Sequence, residues 1–294
     1  MRLSVVMAVY NGEATLAATL ESILTQTFSE FELLVVDDGS TDRTAAILRD
    51  VRDPRLRVLA QDNTGLTRAL IRGCAEARGE AIARHDAGDR SLPRRFERQL
   101  ALLDGGAVLA ACASRFVDPD GDTLYVTRGD GEEIRRSLLE HDASRVHGIV
   151  HGSAMFRRDA YLAAGGYRAE FRLAQDLDLW IRLAARGPVA VTEEVLYESR
   201  FDEKSISAGG RDAQLRLTAL AVKLRDGGDE AALLAEAAKV TAPRRTKRGE
   251  AAALYFMGKC LLRERNTKGR RYLAEAVKRD PLHWRAWASL LLRR

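Results

Sequence analysis

Acidic side chains cluster at three places in the first two thirds of this 294-residue sequence. The first cluster occupies residues 37–42, the second residues 86–89 and the third residues 175–178. The first two each follow a short apolar run, which places them at the carboxyl ends of predicted strands, where doubly wound sheets bind ligands. Because unpaired buried carboxylates are costly, the pattern favours a site for a divalent cation and a phosphorylated ligand.

Alternating strands and helices must position these clusters. Short apolar runs predict strands, and apolar residues at helical spacing between them predict amphipathic helices against a sheet. The opening order of strand, helix and strand is typical of a parallel α/β sheet. The polar, glycine-rich stretch 118–131 predicts a hairpin loop and a departure from that alternation. Strands are predicted at 3–9, 31–36, 56–59, 81–84, 108–117, 149–156, 189–191 and 195–199, and helices at 14–26, 66–77, 159–164 and 176–186.

The composition is that of a globular chain. With 46% hydrophobic residues, it can bury a large core in one large domain or two modest ones. Its three cysteines are widely spaced and form no C-x-x-C pattern, which argues against a disulfide framework or a zinc site and favours the reducing cytoplasm. No apolar run approaches the roughly 20 residues of a membrane span, so any membrane contact is expected to be peripheral, at the inner face.

Positive charge is concentrated late in the sequence. The net charge is +5, but residues 243–294 carry 15 Lys and Arg against 4 Asp and Glu, which leaves −6 for residues 1–242. From residue 211 the pattern is helical only, so we expect one domain at 1–208 and a helical region at 209–294. The basic tail suits an anionic membrane, a nucleic acid or an acidic partner, or it is a solvated surface. Sparse interleaved aromatic residues argue against nucleic acid.

Several short motifs follow one another along residues 3–205. Together they resemble the start and middle of the family 2 glycosyltransferases. That resemblance implies an α/β GT-A nucleotide-diphospho-sugar transferase fold, with a Rossmann-like mixed sheet, followed here by a small all-helical C-terminal region. The motifs are VYN at 9–11, SILTQTF at 22–28, VVDDGSTD at 35–42, GLTRAL at 65–70, ARHDAGD at 83–89, GGY at 165–167 and DLDLW at 176–180.

The resemblance implies transfer of a sugar from a nucleotide-diphosphate sugar, with UDP favoured, to a carbohydrate or lipid-linked acceptor hydroxyl. Inversion at the anomeric carbon is expected. By position, Tyr10 flanks the nucleobase and Asp38 accepts a hydrogen bond from it, in agreement with the chemistry of an aromatic face and a directional carboxylate. The alternative for Tyr10 is a half-buried packing residue. The donor-binding residues implied are Ala8, Tyr10, Asn11, Asp38, Arg68, Asp86 and Arg200.

The second acidic cluster matches the family's metal motif, except that Gly88 replaces its third residue, usually Asp. Mg²⁺ or Mn²⁺ that bridges two phosphates needs only one or two protein carboxylates, because phosphate and water oxygens complete the octahedron. By resemblance, Asp89 is the first choice as ligand, and Asp86 reaches the ribose or the same ion. The alternative is an Asp-Gly turn at a strand end.

The third cluster aligns Asp176 with the family's catalytic base, with Gln175 in place of the more usual Glu. An inverting transfer needs one base to take the proton of the acceptor hydroxyl, so a single carboxylate suffices. The alternative is a helix cap, since acidic residues favour the first turn of a helix. Asp178 and Trp180 are expected to serve the helix and the core.

Two further residues differ from the family pattern, one within the match and one at its end. Ile71 stands where the family commonly has Asn, and Asp202 stands where it has His, so Arg200 and Lys204 are expected to carry more of the phosphate binding. With Gly88 and Gln175, these changes leave open a catalytically lapsed nucleotide-sugar-binding or scaffold protein. His147 and His151 either line the acceptor side of a strand or form a polar surface.

The helical tail contains the pattern of one tetratricopeptide-like helix pair, at Tyr255, Gly258, Leu261, Gly269, Tyr272, Ala276, Asp280 and Pro281. One repeat is weak evidence, because stacking needs about three. The tail binds a protein partner, dimerises, positions a lipid-linked acceptor, or packs on the first domain. A nucleotidyltransferase is disfavoured, because residues 10–13 lack a glycine-rich phosphate loop. The expected role is cytoplasmic synthesis of a cell-surface polysaccharide or glycoconjugate.

Overall fold

The computed structural model describes residues 1–140, 148–203, 211–241 and 246–291. The strands are β1 (Leu3–Val9), β2 (Phe31–Asp38), β3 (Leu56–Gln61), β4 (Ala81–Asp86), β5 (Arg90–Ser91), β6 (Leu109–Val117), β7 (Thr123–Thr127), β8 (Met155–Arg157) and β9 (Val189–Arg200). The helices are α1 (Leu16–Leu24), α2 (Thr44–Asp50), α3 (Leu66–Ala75), α4 (Arg95–Asp104), α5 (Gly131–Glu140), α6 (Arg158–Ala163), α7 (Gln175–Ala184), α8 (Arg211–Arg225), α9 (Glu230–Lys239), α10 (Lys247–Arg263), α11 (Gly269–Arg279) and α12 (Trp284–Leu291).

The strands form one mixed sheet. Its order is β3, β2, β1, β4, β8, β6, β9 and β5, and β7 pairs with β6. β1 runs parallel to β2 and β4, whereas β8 is antiparallel to β4 and β6. The sheet is therefore parallel where the first two acidic clusters lie and mixed beyond them, which confirms the predicted fold class.

Helices cover both faces of the parallel part. Every residue of β1 is buried, and successive side chains point to opposite faces. Val5 and Met7 share a core with Leu20 of α1, while Val6 packs on the other side with Leu70 of α3. Strands covered on both faces have the continuous apolar runs from which they were predicted.

The strand predicted at 149–156 is wrong over most of its length. Residues His151–Ser153 form one turn of 3₁₀ helix, and only Met155–Arg157 is a strand. Ser153 explains the turn, because its hydroxyl and its backbone N–H both donate to the carbonyl of Val150, at 2.9 Å each. Such local side-chain bonds compete with strand pairing.

The two short strands predicted at 189–191 and 195–199 are one strand, β9. Its pairing with β6 shifts register near Ala113: Cys112 faces Thr192, but Ala113 faces Val195. The extra residues of β9 form an irregularity in which Glu193 and Glu194 are exposed. A bulge of this kind lets a polar interruption persist inside one strand. The predicted hairpin after β6 is confirmed, since β7 pairs antiparallel with it.

The late helices divide between two cores. Leu217 and Leu220 of α8 and Ala237 of α9 belong to the core that also contains α7. Helices α10, α11 and α12 form a separate cluster with Leu124 of β7. The predicted boundary near residue 208 lies outside the described residues. No helix in the described part of the chain combines the length and apolar character needed to cross a bilayer.

One ionic cluster fastens the last three helices to the sheet. The ammonium group of Lys268 lies 2.7 Å from Asp118, 2.5 Å from Asp120 and 2.8 Å from Asp122, all in the β6–β7 turn. Tyr272 donates a hydrogen bond to Asp118 at 2.9 Å. The predicted packing of the tail on the first domain is therefore observed for α10–α12.

Candidate active site

Three neighbouring strands end together at the first two acidic clusters. In the register of the sheet, Ala8 of β1 lies between Val36 of β2 and Asp86 of β4. Asp38 is two residues beyond Val36. With strands about 4.8 Å apart and a rise of about 3.3 Å per residue, Asp38 and Asp86 are roughly 12 Å apart along one edge. This distance suits a nucleotide that extends from its base to its diphosphate.

Asp38 is held entirely by neutral donors. One oxygen accepts from the side-chain amide of Gln61 at 2.6 Å and from the backbone N–H of Thr64 at 2.9 Å. The other accepts from the N–H of Gly65 at 2.8 Å. The carboxylate is 3% exposed, so β3 and the start of α3 fix its position. The second oxygen retains a lone pair for a donor from a ligand.

The residues after β1 form an open rim beside Asp38. Tyr10 is 53% exposed, which is compatible both with a half-buried packing residue and with a ring on which a nucleobase could stack. Asn11 adopts φ 53°, and its side-chain oxygen accepts from the N–H of Thr41 at 2.8 Å. Its own N–H donates to the hydroxyl of Ser40 at 2.9 Å. Asn11 therefore joins the loops after β1 and β2.

Arg68 lies in the first turn of α3, on the same rim. Its side chain is exposed and forms no hydrogen bond or ion pair within the described ranges. The adjacent Thr67 is buried and donates to the carbonyl of Phe171 at 2.8 Å. That bond ties α3 to the loop that leads into α7, so it connects the elements that carry Asp38's partners and Asp176.

Asp86 is held in place by a buried arginine. Arg84, two residues earlier on β4, is 2% exposed, and its guanidinium forms an ion pair with Asp86. The backbone N–H of Asp86 donates to the hydroxyl of Tyr197 at 3.2 Å. A Cβ on Gly152 would lie 2.0 Å from that hydroxyl and 2.9 Å from the Asp86 carboxylate, so only glycine fits there.

Asp86 and the neighbouring tyrosines stabilise the positive charge of Arg84. Burial lowers the pKa of Arg84, but the charge of Asp86, the hydrogen bond to it and the nearby hydroxyls of Tyr167 and Tyr197 together hold that pKa above its usual range. The guanidinium therefore stays charged beneath the strand ends. The sequence analysis assigned no role to Arg84, although a single charged residue inside an apolar strand was a pattern that could have identified it.

Asp89 is the more buried of the two carboxylates in the metal motif. It is 6% exposed, and it accepts a hydrogen bond from the backbone N–H of Arg200 at 2.8 Å. Burial, followed by the negative charge of Asp86, raises the pKa of Asp89 to about 7. The two carboxylates are thus close enough to repel each other, while Asp86 has the more exposed side chain, at 37%.

These residues fit a divalent cation that a ligand helps to hold. Among the described residues, no group of three or more His, Cys, Asp and Glu side chains could hold a metal alone. Asp86 and Asp89 supply hard oxygen donors, and a cation between them would relieve their mutual repulsion. Magnesium and manganese commonly use one or two carboxylates together with phosphate and water oxygens. The donor set matches that chemistry.

Asp176 lies in the first turn of α7, after Ala174, whose φ is 55°. Its carboxylate is half-buried and accepts from the N–H of Leu177 at 2.9 Å. Burial raises the pKa of Asp176; the charge of Arg84 opposes this shift, and the charge of Asp86 adds to it. The charges of Asp86 and Arg84 therefore both act on Asp176.

Neighbours of Asp176 have structural roles. Asp178 is 2% exposed and forms ion pairs with Arg168 and Arg182, as expected for a residue that serves the helix. Trp180 is 4% exposed within the core. Gln175 is 7% exposed, and its side-chain oxygen has no hydrogen-bond partner in the described structure.

The remaining predicted residues lie at the edge of the site. The side chain of Arg200 is exposed and donates to the carbonyl of Pro119 at 3.3 Å. His151 is in the 3₁₀ turn rather than on a strand, and its ring nitrogen lies 2.8 Å from the hydroxyl of Tyr167. The shared strand face predicted for His147 and His151 is therefore not formed at His151. His147 and Lys204 lie outside the described residues.

Comparisons with known proteins show the family of the chain. The family model described as glycosyl transferase family 2 matches residues 4–163. The putative glycosyltransferase EpsE of Bacillus subtilis (strain 168) is 32% identical over 212 residues, which are 68% of this chain and 73% of EpsE.

Solved structures share the fold. S. aureus TarS 1–349 in complex with UDP-GlcNAc superposes with a TM-score of 0.61 at 19% identity, over 99% of this chain and 88% of TarS 1–349. The mannosyltransferase PcManGT from Pyrobaculum calidifontis, in complex with GDP-Man and Mn²⁺, gives a TM-score of 0.60 at 19% identity, over 98% of this chain and 83% of that one. At these identities the likeness shows the fold alone.

Proposed function

The chain belongs to glycosyl transferase family 2, and we propose that it moves a sugar from a nucleotide-diphosphate sugar to an acceptor hydroxyl with inversion at the anomeric carbon. The observation that carries this proposal is that Asp86 pairs with the buried cation of Arg84 and carries a charge that raises the pKa of both Asp89 and Asp176, on the sheet edge that also carries Asp38. The complexes of TarS with UDP-GlcNAc and of PcManGT with GDP-Man support a nucleotide-sugar donor, and a UDP-sugar is favoured.

The end of the site that carries Asp38, which we call the donor end, selects the nucleotide of the sugar donor by shape. Tyr10 offers an exposed ring on which a base can stack, and the rigidly held Asp38 accepts a hydrogen bond from the base edge. Arg68 presents an unpaired guanidinium on the same rim, where it can meet a phosphate. Ala8, between the two strand ends, leaves room for the ribose.

The other end carries the reaction. Asp176 takes the proton from the acceptor hydroxyl as that oxygen bonds to the anomeric carbon and the bond to the diphosphate breaks. Its raised pKa makes the carboxylate a stronger proton acceptor than an exposed one. Arg84 keeps Asp86 oriented toward the diphosphate.

Asp86 and Asp89 would hold Mg²⁺ or Mn²⁺, which when bound supplies positive charge to the departing nucleotide diphosphate. The Mn²⁺ complex of PcManGT supports a divalent metal, and the choice of Asp86 and Asp89 as its ligands rests on the sequence resemblance and their proximity. Asp89→Ala should weaken metal-supported donor binding, measured by calorimetry of UDP with and without Mn²⁺. An unchanged metal dependence in that variant would move the ligand role to Asp86.

The experiment that tests the function is a donor screen. UDP-, GDP- and dTDP-sugars are incubated with the full chain and Mn²⁺, and release of the nucleotide diphosphate is measured, since hydrolysis reports donor use when the acceptor is unknown. We expect turnover with at least one UDP-sugar and its loss in Asp176→Asn. Donor binding by the wild type without release, and with no difference from Asp176→Asn, would contradict the proposed activity.

A lapsed nucleotide-sugar-binding protein is the second candidate. The observation in its favour is that both carboxylates of the metal motif already have protein partners, Arg84 for Asp86 and the N–H of Arg200 for Asp89. The donor screen distinguishes an active transferase from a lapsed protein, because a lapsed protein binds the nucleotide sugar without releasing the nucleotide diphosphate. A carbohydrate or lipid-linked acceptor, and a cytoplasmic role in cell-surface polysaccharide or glycoconjugate synthesis, stay predictions.

A further inference from the structure

Helix α12 is apolar on two opposite faces. Its inner face contributes Ala286, which is fully buried in the cluster formed with α10 and α11. On the other side, Trp284 is 69% exposed, Trp287 46% and Leu291 75%. These three residues are spaced by three and four positions, so they form one stripe along the helix, which we name the outer stripe. A surface helix normally presents polar residues there.

The outer stripe is a local concentration of exposed apolar surface. Ten large apolar side chains are exposed among the described residues, and four of them lie between 282 and 291. The fourth is Leu282, 88% exposed, just before the helix. The other six are scattered from Met1 to Phe256. Single exposed apolar residues need no explanation, whereas a group on one short helix indicates an interaction surface.

Basic side chains border this surface. The guanidinium of Arg285 lies 5.4 Å from the ring centre of Trp284. Arg270 of α11 donates to the carbonyl of Leu290 at 3.2 Å, which keeps its charge beside α12. Residues 243–294 as a whole carry an excess of 11 positive charges. An anionic surface is therefore the complementary occupant.

The area and the residue types favour lipid over a second copy of the chain. Two tryptophans and one leucine can bury roughly 500 Å², at about 150–250 Å² for each aromatic side chain, below the ~800 Å² per partner of a stable protein interface. Tryptophan with arginine beside it is typical of helices that lie in the boundary between lipid headgroups and acyl chains. The indole N–H of Trp287 is already satisfied by the carbonyl of Pro281 at 3.0 Å.

We propose that the outer stripe of α12, together with Leu282, inserts into the surface of an anionic lipid bilayer, with Arg270 and Arg285 beside the lipid phosphates. The ionic cluster of Lys268 fastens this part of the tail to the β6–β7 turn, so docking would hold the catalytic domain at the membrane surface. The proposal does not depend on the reaction or on the donor. Since only three or four side chains insert, binding is expected to be weak and reversible.

The test is co-sedimentation of the full chain with vesicles, either of phosphatidylcholine alone or of phosphatidylcholine mixed with phosphatidylglycerol. We expect binding to the anionic vesicles that weakens as salt is added, because exposed charges are screened. The variant Trp284→Ser/Trp287→Ser should bind roughly 10-fold or more weakly. The matched control, Leu162→Ser/Leu215→Ser, removes two exposed apolar residues elsewhere and should bind like the wild type.

Tryptophan fluorescence gives a second readout that does not depend on sedimentation. The third tryptophan, Trp180, is buried, so a blue shift on addition of anionic vesicles reports on Trp284 and Trp287. Circular dichroism and the melting temperature verify that each variant is folded. No binding by the wild type, equal binding by the stripe variant, or a wild-type dimer in light scattering that this variant converts to a monomer would each overturn the proposal.

Discussion

The two ends of the candidate site hold their carboxylates by different means. At the donor end, Asp38 is held by the amide of Gln61 and the N–H groups of Thr64 and Gly65, all of them neutral. At the other end, Asp86 and Asp176 lie in the field of the buried cation of Arg84. The neutral hydrogen bonds fix the position of the Asp38 carboxylate. The charge of Arg84 instead offsets the negative charges of Asp86 and Asp176.

This difference predicts how the two ends respond to substitution. Changes around Asp38 should alter affinity for the nucleotide with little effect on turnover, because in the proposed mechanism that end contacts groups that do not react. Changes around Arg84 should alter turnover or stability, because charge moves there during the reaction and buried charges must stay balanced.

The largest effect is expected for Asp176→Asn. The amide cannot accept the acceptor proton, so kcat should fall by roughly 10²- to 10⁴-fold, while the dissociation constant for the donor stays close to that of the wild type. In the wild type, kcat should decrease as the pH falls through the raised pKa of Asp176, and the variant should lack that limb. Initial rates across pH measure both, and wild-type rates in the variant would remove Asp176 from this role.

Arg84→Met should have the next largest effect, on stability as well as turnover. Only Arg84 is buried in this ion pair, and the Asp86 side chain is 37% exposed, so water partly solvates the carboxylate that is left and the loss should stay below the ~3–5 kcal/mol of a fully buried pair. Urea unfolding measures the loss, and kcat should fall with it. Arg84→Lys is the matched control, since it keeps the charge and should recover part of both. If Arg84→Met were as stable as the wild type, the charge-balance account of this end would fail.

A smaller effect is expected for Asp38→Asn. The amide group places donors against the N–H groups that now bind Asp38, which costs about 1–3 kcal/mol, and the base loses its acceptor. Calorimetry should show a donor dissociation constant raised about 10- to 100-fold, with kcat at saturation nearly unchanged. Asp42→Asn is the control, because Asp42 accepts N–H groups of Glu13 and Thr44 in the same loop. Equal effects of both variants would show that Asp38 acts only on loop stability.

Sequence patterns predicted the donor end well because its elements are local. β1 and β2 are continuous apolar runs, and the first two acidic clusters each follow such a run, so the strands and the positions of these clusters follow from neighbours in sequence. The packing role of Asp178 was also predicted correctly. The roles assigned to Asp38, Asp89 and Asp176 stay predictions until a ligand is bound.

The charged end was harder to predict, because its contacts join distant residues. Tyr197 meets Asp86 across 111 positions, and Gly152 matters only because both lie against it. The turn at 151–153 depends on Ser153 bonding Val150 in preference to a sheet neighbour. No window of local sequence contains these contacts, so the strand predicted there was wrong.

The central claim is that one nucleotide diphosphate spans both ends of the candidate site, with its base at Asp38 and its phosphates at Asp86 and Asp89. Crystals of the full chain grown with UDP and Mn²⁺, and measured at the manganese absorption edge, test it most directly. The account predicts one anomalous peak between the diphosphate and these two carboxylates, with the base on Tyr10. A nucleotide on another face, or a manganese ion away from both carboxylates, would contradict it.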